Sequence, residues 1–233
     1  PNQFTGEGEL VTIKRGAGVA QLNIWETNFV PDLTGFKLYE LNERGKGSLN
    51  VSFVLADGTM HAHVSQIPKG RYKKAHRHAA GTHVHAIDGE GYSLLWHEGD
   101  SEFKEFPWKH GFMYTPPFWM FHQHFNTSQA PARYLAKGTG GLRYPLITGV
   151  RRSIWGLKPG EKGAVSTSIK DGGDQMEYED QDPRIHRKFL DSIAKTGVPS
   201  KMGDIFDEKA ILALPESQLT GVIQTPQLKG PAI

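Results

Sequence analysis

Ten of the 11 histidines in this 233-residue chain fall between His61 and His124, and the remaining one is His186. His76 and His78 are one residue apart, so on extended backbone both imidazoles can point to the same side. His83 follows after four intervening residues, in phase with His85 on a stretch that reads as a strand from Thr82 to Ile87. A later stretch places Met120, His122 and His124 on one face, with Phe121, Gln123 and Phe125 on the other. Three segments therefore offer imidazoles that can converge. Neutral imidazole is the commonest protein ligand for Fe, Zn, Cu, Ni and Mn. An interior full of unpaired imidazoles is costly to bury, so a metal is the favoured reading over hydrogen-bonded or surface histidine.

The elements that must hold these groups read as short strands. Ser48 to Leu55 alternates, with Leu49, Val51, Phe53 and Leu55 on one face and Ser48, Asn50 and Ser52 on the other. Asp57-Gly58 has hairpin-turn chemistry, and a second strand runs from about Met60 to Ile67. Tyr92–Trp96, Glu102–Phe106, Phe112–Thr115, Met120–Phe125 and Ala132–Lys137 continue the pattern between Gly/Pro turns. The expectation is an all-β fold. A β-barrel spans 45–150, residues 1–44 are an N-terminal arm with flanking segments, and 151–233 form a C-terminal extension. In that extension Asp182 caps a helix over about 183–196, with Pro183 at its first position and Gly197 closing it. A shorter helix follows from Asp207 to about Ala213. The tail from Pro215 to Ile233 reads as an extended arm, disordered or laid over a neighbour, and a homodimer or higher homo-oligomer is expected.

Composition narrows the function. Lys+Arg 27 against Asp+Glu 25 gives a net charge of +2, which is no general field for nucleic acid or an anionic membrane. The absence of Cys excludes disulfides, thiolate metal sites and a cysteine nucleophile. No apolar run is long enough for a transmembrane helix, and the first residues carry no signal-peptide pattern; the expected location is cytoplasmic.

Two segments together resemble the cupin superfamily. Its first motif, Gly-x5-His-x-His-x3–4-Glu-x6-Gly, is similar to Gly70, His76, His78 and then His83. Its second, Gly-x5-Pro-x-Gly-x2-His-x3-Asn, is similar to Gly111, Pro117, His122 and Asn126. The chain departs from the pattern at three places. His83 stands where the family has Glu, Trp119 stands where motif two has Gly, and the closing Gly of motif one is displaced to Gly89 or Gly91. The resemblance implies a single cupin (jelly-roll-like) barrel with the C-terminal extension added. It also implies a four-histidine metal site of His76, His78, His83 and His122, or a three-histidine site if His83 does not coordinate.

Four neutral ligands leave a divalent ion its full charge, which favours anionic ligands, and octahedral coordination leaves two positions for substrate and O2 or water. Fe(II) is the first expectation, with Mn, Zn, Ni and Cu behind it. The implied activity is that of a non-haem Fe(II) dioxygenase using O2 on a small anionic organic or aromatic substrate. A metal-dependent lyase, decarboxylase or isomerase is the alternative, and a non-catalytic metal- or small-molecule-binding cupin the third. His85 and His124 are candidates to support the ligands. The basic run Lys69, Arg71, Lys73, Lys74 and Arg77 reads mostly as solvated loop, but one of these residues, or Arg133 on a later strand, is a candidate to meet a substrate carboxylate, with Arg71, Arg77 and Arg133 put first. Tyr114 and Trp119 are candidates to line the pocket.

Overall fold

The computed structural model describes residues 7–14, 21–55, 60–78, 82–139 and 167–226. The Asp57-Gly58 turn and the last residues of the tail lie outside these. Among the described residues eleven strands are formed: β1 Gly8–Lys14, β2 Gln21–Thr27, β3 Tyr39–Glu40, β4 Leu49–Leu55, β5 Met60–Ile67, β6 Thr82–Asp88, β7 Glu90–Trp96, β8 Lys104–Lys109, β9 Met113–Tyr114, β10 Phe121–Asn126 and β11 Ala132–Thr139. They pair as an eight-stranded sheet in the order β1-β2-β4-β5-β11-β6-β9, with β3 beside β4, and a three-stranded sheet in the order β10-β7-β8. Pairing is antiparallel except between β2 and β4. The fold class is all-β.

Among the described residues before 45, β1, β2 and β3 belong to the larger sheet. β1 and β2 extend the larger sheet at its edge, in register Gly8↔Thr27 to Lys14↔Gln21. The segment between β2 and β4 then folds over the outer face of that sheet.

The faces of the sheets are assigned in an unexpected sense. In β4 the apolar set packs outward: Val51 and Phe53 join Ala62 and Val64 beneath Trp25, Val30, Leu33, Phe36 and Leu38. Phe53 is 1% exposed and meets the Phe36 ring edge-on at 5.0 Å. The polar set points inward, where Asn50 Nδ2 donates to Ser65 Oγ at 2.8 Å. The smaller sheet repeats this arrangement. Tyr92, Leu94, Trp96, Phe121 and Phe125 face away from the larger sheet and pack against the C-terminal part of the chain. The opposite face of β10 and β7 carries His122, His124 and Ser93, and it looks toward Tyr134 on β11 and Tyr114 on β9. Each sheet thus has its main apolar cover on its outer side, and a largely polar space lies between them. Ile67, Val84, Tyr134 and Ala136 supply the apolar contacts within that space.

The C-terminal cover is anchored by α1, Pro183–Thr196, which buries Ile185, His186, Phe189, Leu190 and Ile193. Asp182 accepts from Arg184 N at 2.9 Å, which satisfies a donor at the helix start. Gly197 ends it at φ 67°, the left-handed conformation glycine favours. A five-residue helix, α2, covers Glu208–Leu212. The tail does not leave the molecule over its described length. Ile223 is buried in the same cluster, its N–H donates to Asp100 O at 2.8 Å, and Gln224 N donates to Asp182 Oδ2 at 2.9 Å.

Because the stabilising apolar face of β4 is the outward one, Phe53→Ala is expected to lower the unfolding free energy by about 3–5 kcal/mol. Ser52→Ala, on the inward face of the same strand, should cost about 1 kcal/mol or less. Urea unfolding of the two variants checks the assignment.

Candidate metal centre

The segment Tyr72–His78 is not a named strand, yet it runs antiparallel beside β10. Lys73 N–H donates to His124 O at 3.1 Å, His76 N–H to His122 O at 3.1 Å, and His122 N–H back to His76 O at 2.9 Å. Trp119 N–H reaches His78 O at 3.2 Å. This pairing makes His76 and His122 direct cross-strand neighbours, with ring centroids 4.1 Å apart. The His78 ring lies 4.8 Å from His122 and 5.5 Å from His76. One nitrogen from each of the three rings falls within 4.8 Å of the others. Metal–imidazole bonds are about 2.0–2.1 Å long, so small side-chain rotations suffice to bring all three onto one ion.

Protonation favours the same conclusion. Burial holds His76 and His122 well below the usual imidazole pKa of 6.5, reinforced by the mutual proximity of the rings and by Arg44. They are therefore neutral, the state a metal requires. His122 Nδ1 lies 3.1 Å from Met120 O; a proton donated there leaves Nε2 as the lone-pair nitrogen. His76 Nδ1 is buried without a hydrogen-bond partner, as suits a nitrogen reserved for an ion. A donor set of three imidazoles fits a divalent transition metal.

Around these rings lies a polar chain. His124 Nδ1 is 2.8 Å from Ser93 Oγ and 2.7 Å from Tyr114 OH, which are themselves 2.5 Å apart. Trp108 Nε1 donates to Ser93 Oγ at 3.1 Å. Burial, with Lys73 and Arg44 nearby, pushes the His124 pKa down to about 3. Burial also raises the Tyr114 phenol far above its ordinary 10.0. Tyr134 closes the group, its ring 5.0 Å from His124 and 6.3 Å from His63.

Other residues singled out in the sequence lie elsewhere. β6 pairs His83 with Lys137 and turns Val84 and Ala86 inward, so His83 and His85 face outward. His83 is exposed, and its Nδ1 is 2.9 Å from Thr115 Oγ1; the structure does not bring it to the other three histidines. Arg71 forks onto Asp204 at 3.2 and 2.8 Å. Arg77 pairs with Glu98 at 3.1 Å and lies over the Phe121 and Trp119 rings at 4.7 and 5.4 Å. Arg133 is on the outer face, where it holds Leu33 O at 2.9 Å and Gln66 Oε1 at 2.9 Å and so pins the covering loop. Trp119 adopts φ 60°, so the chain keeps a left-handed turn where the cupin motif has glycine. His63, Ser93 and Trp108 are not marked by the sequence, and Lys73 is marked only as one of a basic run. The polar phase of His61, His63 and Ser65 on β5 was the available signal, since their neighbours Ala62 and Val64 are apolar.

Neither a protein-family profile nor a curated protein sequence matches the chain. Among solved structures the chain is similar to Bacillus subtilis oxalate decarboxylase, at 18% identity and TM-score 0.39 over 44% of this chain and 28% of that one. It is also similar to the cupin domain of Schizosaccharomyces pombe Cnp3, at 13% identity and TM-score 0.39 over 56% of this chain and 88% of that one. A third similarity is to a Salmonella typhimurium protein assigned to ethanolamine utilization (EutQ), at 12% identity and TM-score 0.37 over 59% and 98%. The chain thus spans little more than a quarter of the decarboxylase. These likenesses concern the fold. Among the described residues no helix is long and apolar enough to cross a membrane.

Two outcomes are expected. Metal content, measured by plasma mass spectrometry after loading and desalting, should be nearly abolished by His78→Ala or His122→Ala and unaffected by His83→Ala or His186→Ala. Acid should also destabilise the metal-free fold. Burial lowers His186 to about 4 from 6.5, so the unfolded chain binds the extra proton first. Its contribution is complete above pH 6.5 and is lost as pH falls toward 4, with His76, His122 and His124 adding in the same direction. Thermal melts across that range check the sign.

Proposed function

We propose that the chain is a metal-dependent enzyme acting on a small anionic organic acid, with His76, His78 and His122 holding the ion. The observation that carries this reading is the convergence of three imidazoles, with no carboxylate joining the cluster among the described residues. A divalent ion bound there supplies Lewis-acid chemistry or, as Fe(II), a site for O2. The protein side of the work falls to the surrounding residues. Tyr114 and Ser93 fix the His124 ring through Nδ1. His122 is buried, while His76 and His78 are half-buried, which leaves the ligand cluster reachable from one side. Non-haem Fe(II) dioxygenation is the first reading. No nucleophile from the protein is needed for it.

A second reading, a lyase, decarboxylase or isomerase working without net redox change, is favoured by one feature. Such reactions need a proton delivered or removed beside the metal, and the Tyr114–Ser93–His124 chain is a hydrogen-bonded route of that kind. Mn(II) or Zn(II) would serve that chemistry as well as Fe(II).

The Fe(II)-reconstituted protein, given a panel of small carboxylates under an oxygen electrode, is expected to consume O2 with at least one of them. Turnover without O2 uptake would instead establish the non-redox reading. Absence of any turnover with a full complement of metal would contradict both.

A further inference from the structure

The sequence offers Arg71, Arg77 and Arg133 as partners for a substrate carboxylate, but each is engaged in a structural contact. A cation that does lie inside is Lys73. Its side chain enters the space between the sheets and is 3% exposed. Its Nζ donates to Ser65 Oγ at 3.1 Å and to Tyr134 OH at 3.0 Å, both neutral acceptors. An ammonium has three donors, and among the described residues no carboxylate pairs with this one. The charged side chain that acts on it is Arg44, another buried cation. Arg44 in turn is bonded to the neutral Gln175 Oε1 at 2.7 Å.

Lys73 belongs to the same local frame as the metal ligands. It lies on the segment that carries His76 and His78, its backbone N–H is bonded to His124 O, and Tyr134 connects its ammonium to the His124 ring. A buried cation without a counter-ion is costly to maintain. A divalent ion held by three histidines in the same space adds positive charge and offsets none. The missing component is an anion.

We propose that Lys73 is the anion anchor of the site: its third N–H receives a carboxylate of the substrate while the reacting part of the molecule faces the three histidines. Ser65 and Tyr134 orient the ammonium, and Asn50 holds Ser65 in place from β4. This assignment rests on the reading of the site as a metal centre for small organic acids. It identifies the specificity-determining residue, and it predicts that acids are accepted and their esters or amides refused.

The test is isothermal titration of the full chain, loaded with Mn(II), with oxalate, formate and benzoate. The wild type should bind at least one of these, and Lys73→Met should weaken that binding about tenfold or more at unchanged Mn content. Arg133→Lys should leave it within about twofold. Should Lys73→Met fail to fold, Lys73→Gln retains an N–H donor for Ser65 and Tyr134 and carries no charge, and the same loss is expected. Equal affinity in wild type and a folded Lys73 variant overturns the proposal. So does a wild type that is full of Mn and binds none of the anions, a result that leaves the metal centre standing. A wild type that takes up no metal contradicts the enzyme reading alone, and oxalate binding that still depends on Lys73 would support the anion site by itself.

Discussion

Everything around the site depends on a short antiparallel pairing between the segment Tyr72–His78 and β10. Two reciprocal backbone hydrogen bonds join His76 to His122, and a third ties Lys73 to His124. These bonds bring residues far apart in sequence into one ladder and set the phase of every side chain along it. A slip of one residue would exchange the faces, moving His122 and His124 to the apolar side and Phe121 and Phe125 into the polar space. The ladder continues at one end to Tyr72 beside Phe125 and at the other to Trp119 beneath His78. Trp119 keeps the turn at positive φ although it has a side chain, a conformation that costs about 1–2 kcal/mol for an ordinary residue. Its contact with the Arg77 guanidinium offsets part of that cost.

The placement of apolar surface follows from the same ladder. With the histidines facing in, the aromatic face of β10 and β7 must find cover outside, and α1 with the residues around Met176, Met202 and Ile223 supplies it. The larger sheet solves the same problem with Trp25, Val30, Leu33 and Phe36. The two ends of the chain are thus needed for stability, while the space they enclose is free to be polar. Within that space most groups are satisfied by one another: Asn50 with Ser65, Ser65 and Tyr134 with Lys73, Ser93 and Tyr114 with His124. Buried polar groups arranged in this way cost little, and they hold the ligand rings in fixed orientations.

How far the sequence revealed this can be traced residue by residue. Period-two alternation located β4 and β5, because a strand exposes that pattern whichever way it faces. The cap residues Asp182, Pro183 and Gly197 marked α1, because capping is local chemistry. His76, His78 and His122 were legible from spacing. His83 was not separable from them by spacing alone; its position depends on where β6 starts and on the inward phase of Val84 and Ala86, which are properties of the tertiary register. Lys73 could be named only as one member of a basic run that mostly reads as solvated loop, since nothing local distinguishes a lysine that turns inward from Lys74, which pairs with Glu177. The sense of the sheets was hidden for a related reason. Alternation shows that a strand has two faces and is silent on which one covers the larger core.

The central claim is that a metal ion sits between the two sheets on three imidazoles. Its most direct test is an anomalous diffraction map of crystals of the metal-loaded chain, recorded on both sides of the metal absorption edge. The account predicts one strong peak about 2.0–2.2 Å from a ring nitrogen of each of His76, His78 and His122. A peak on the outer face beside His83 and His85, with the three inward histidines bare, would contradict it.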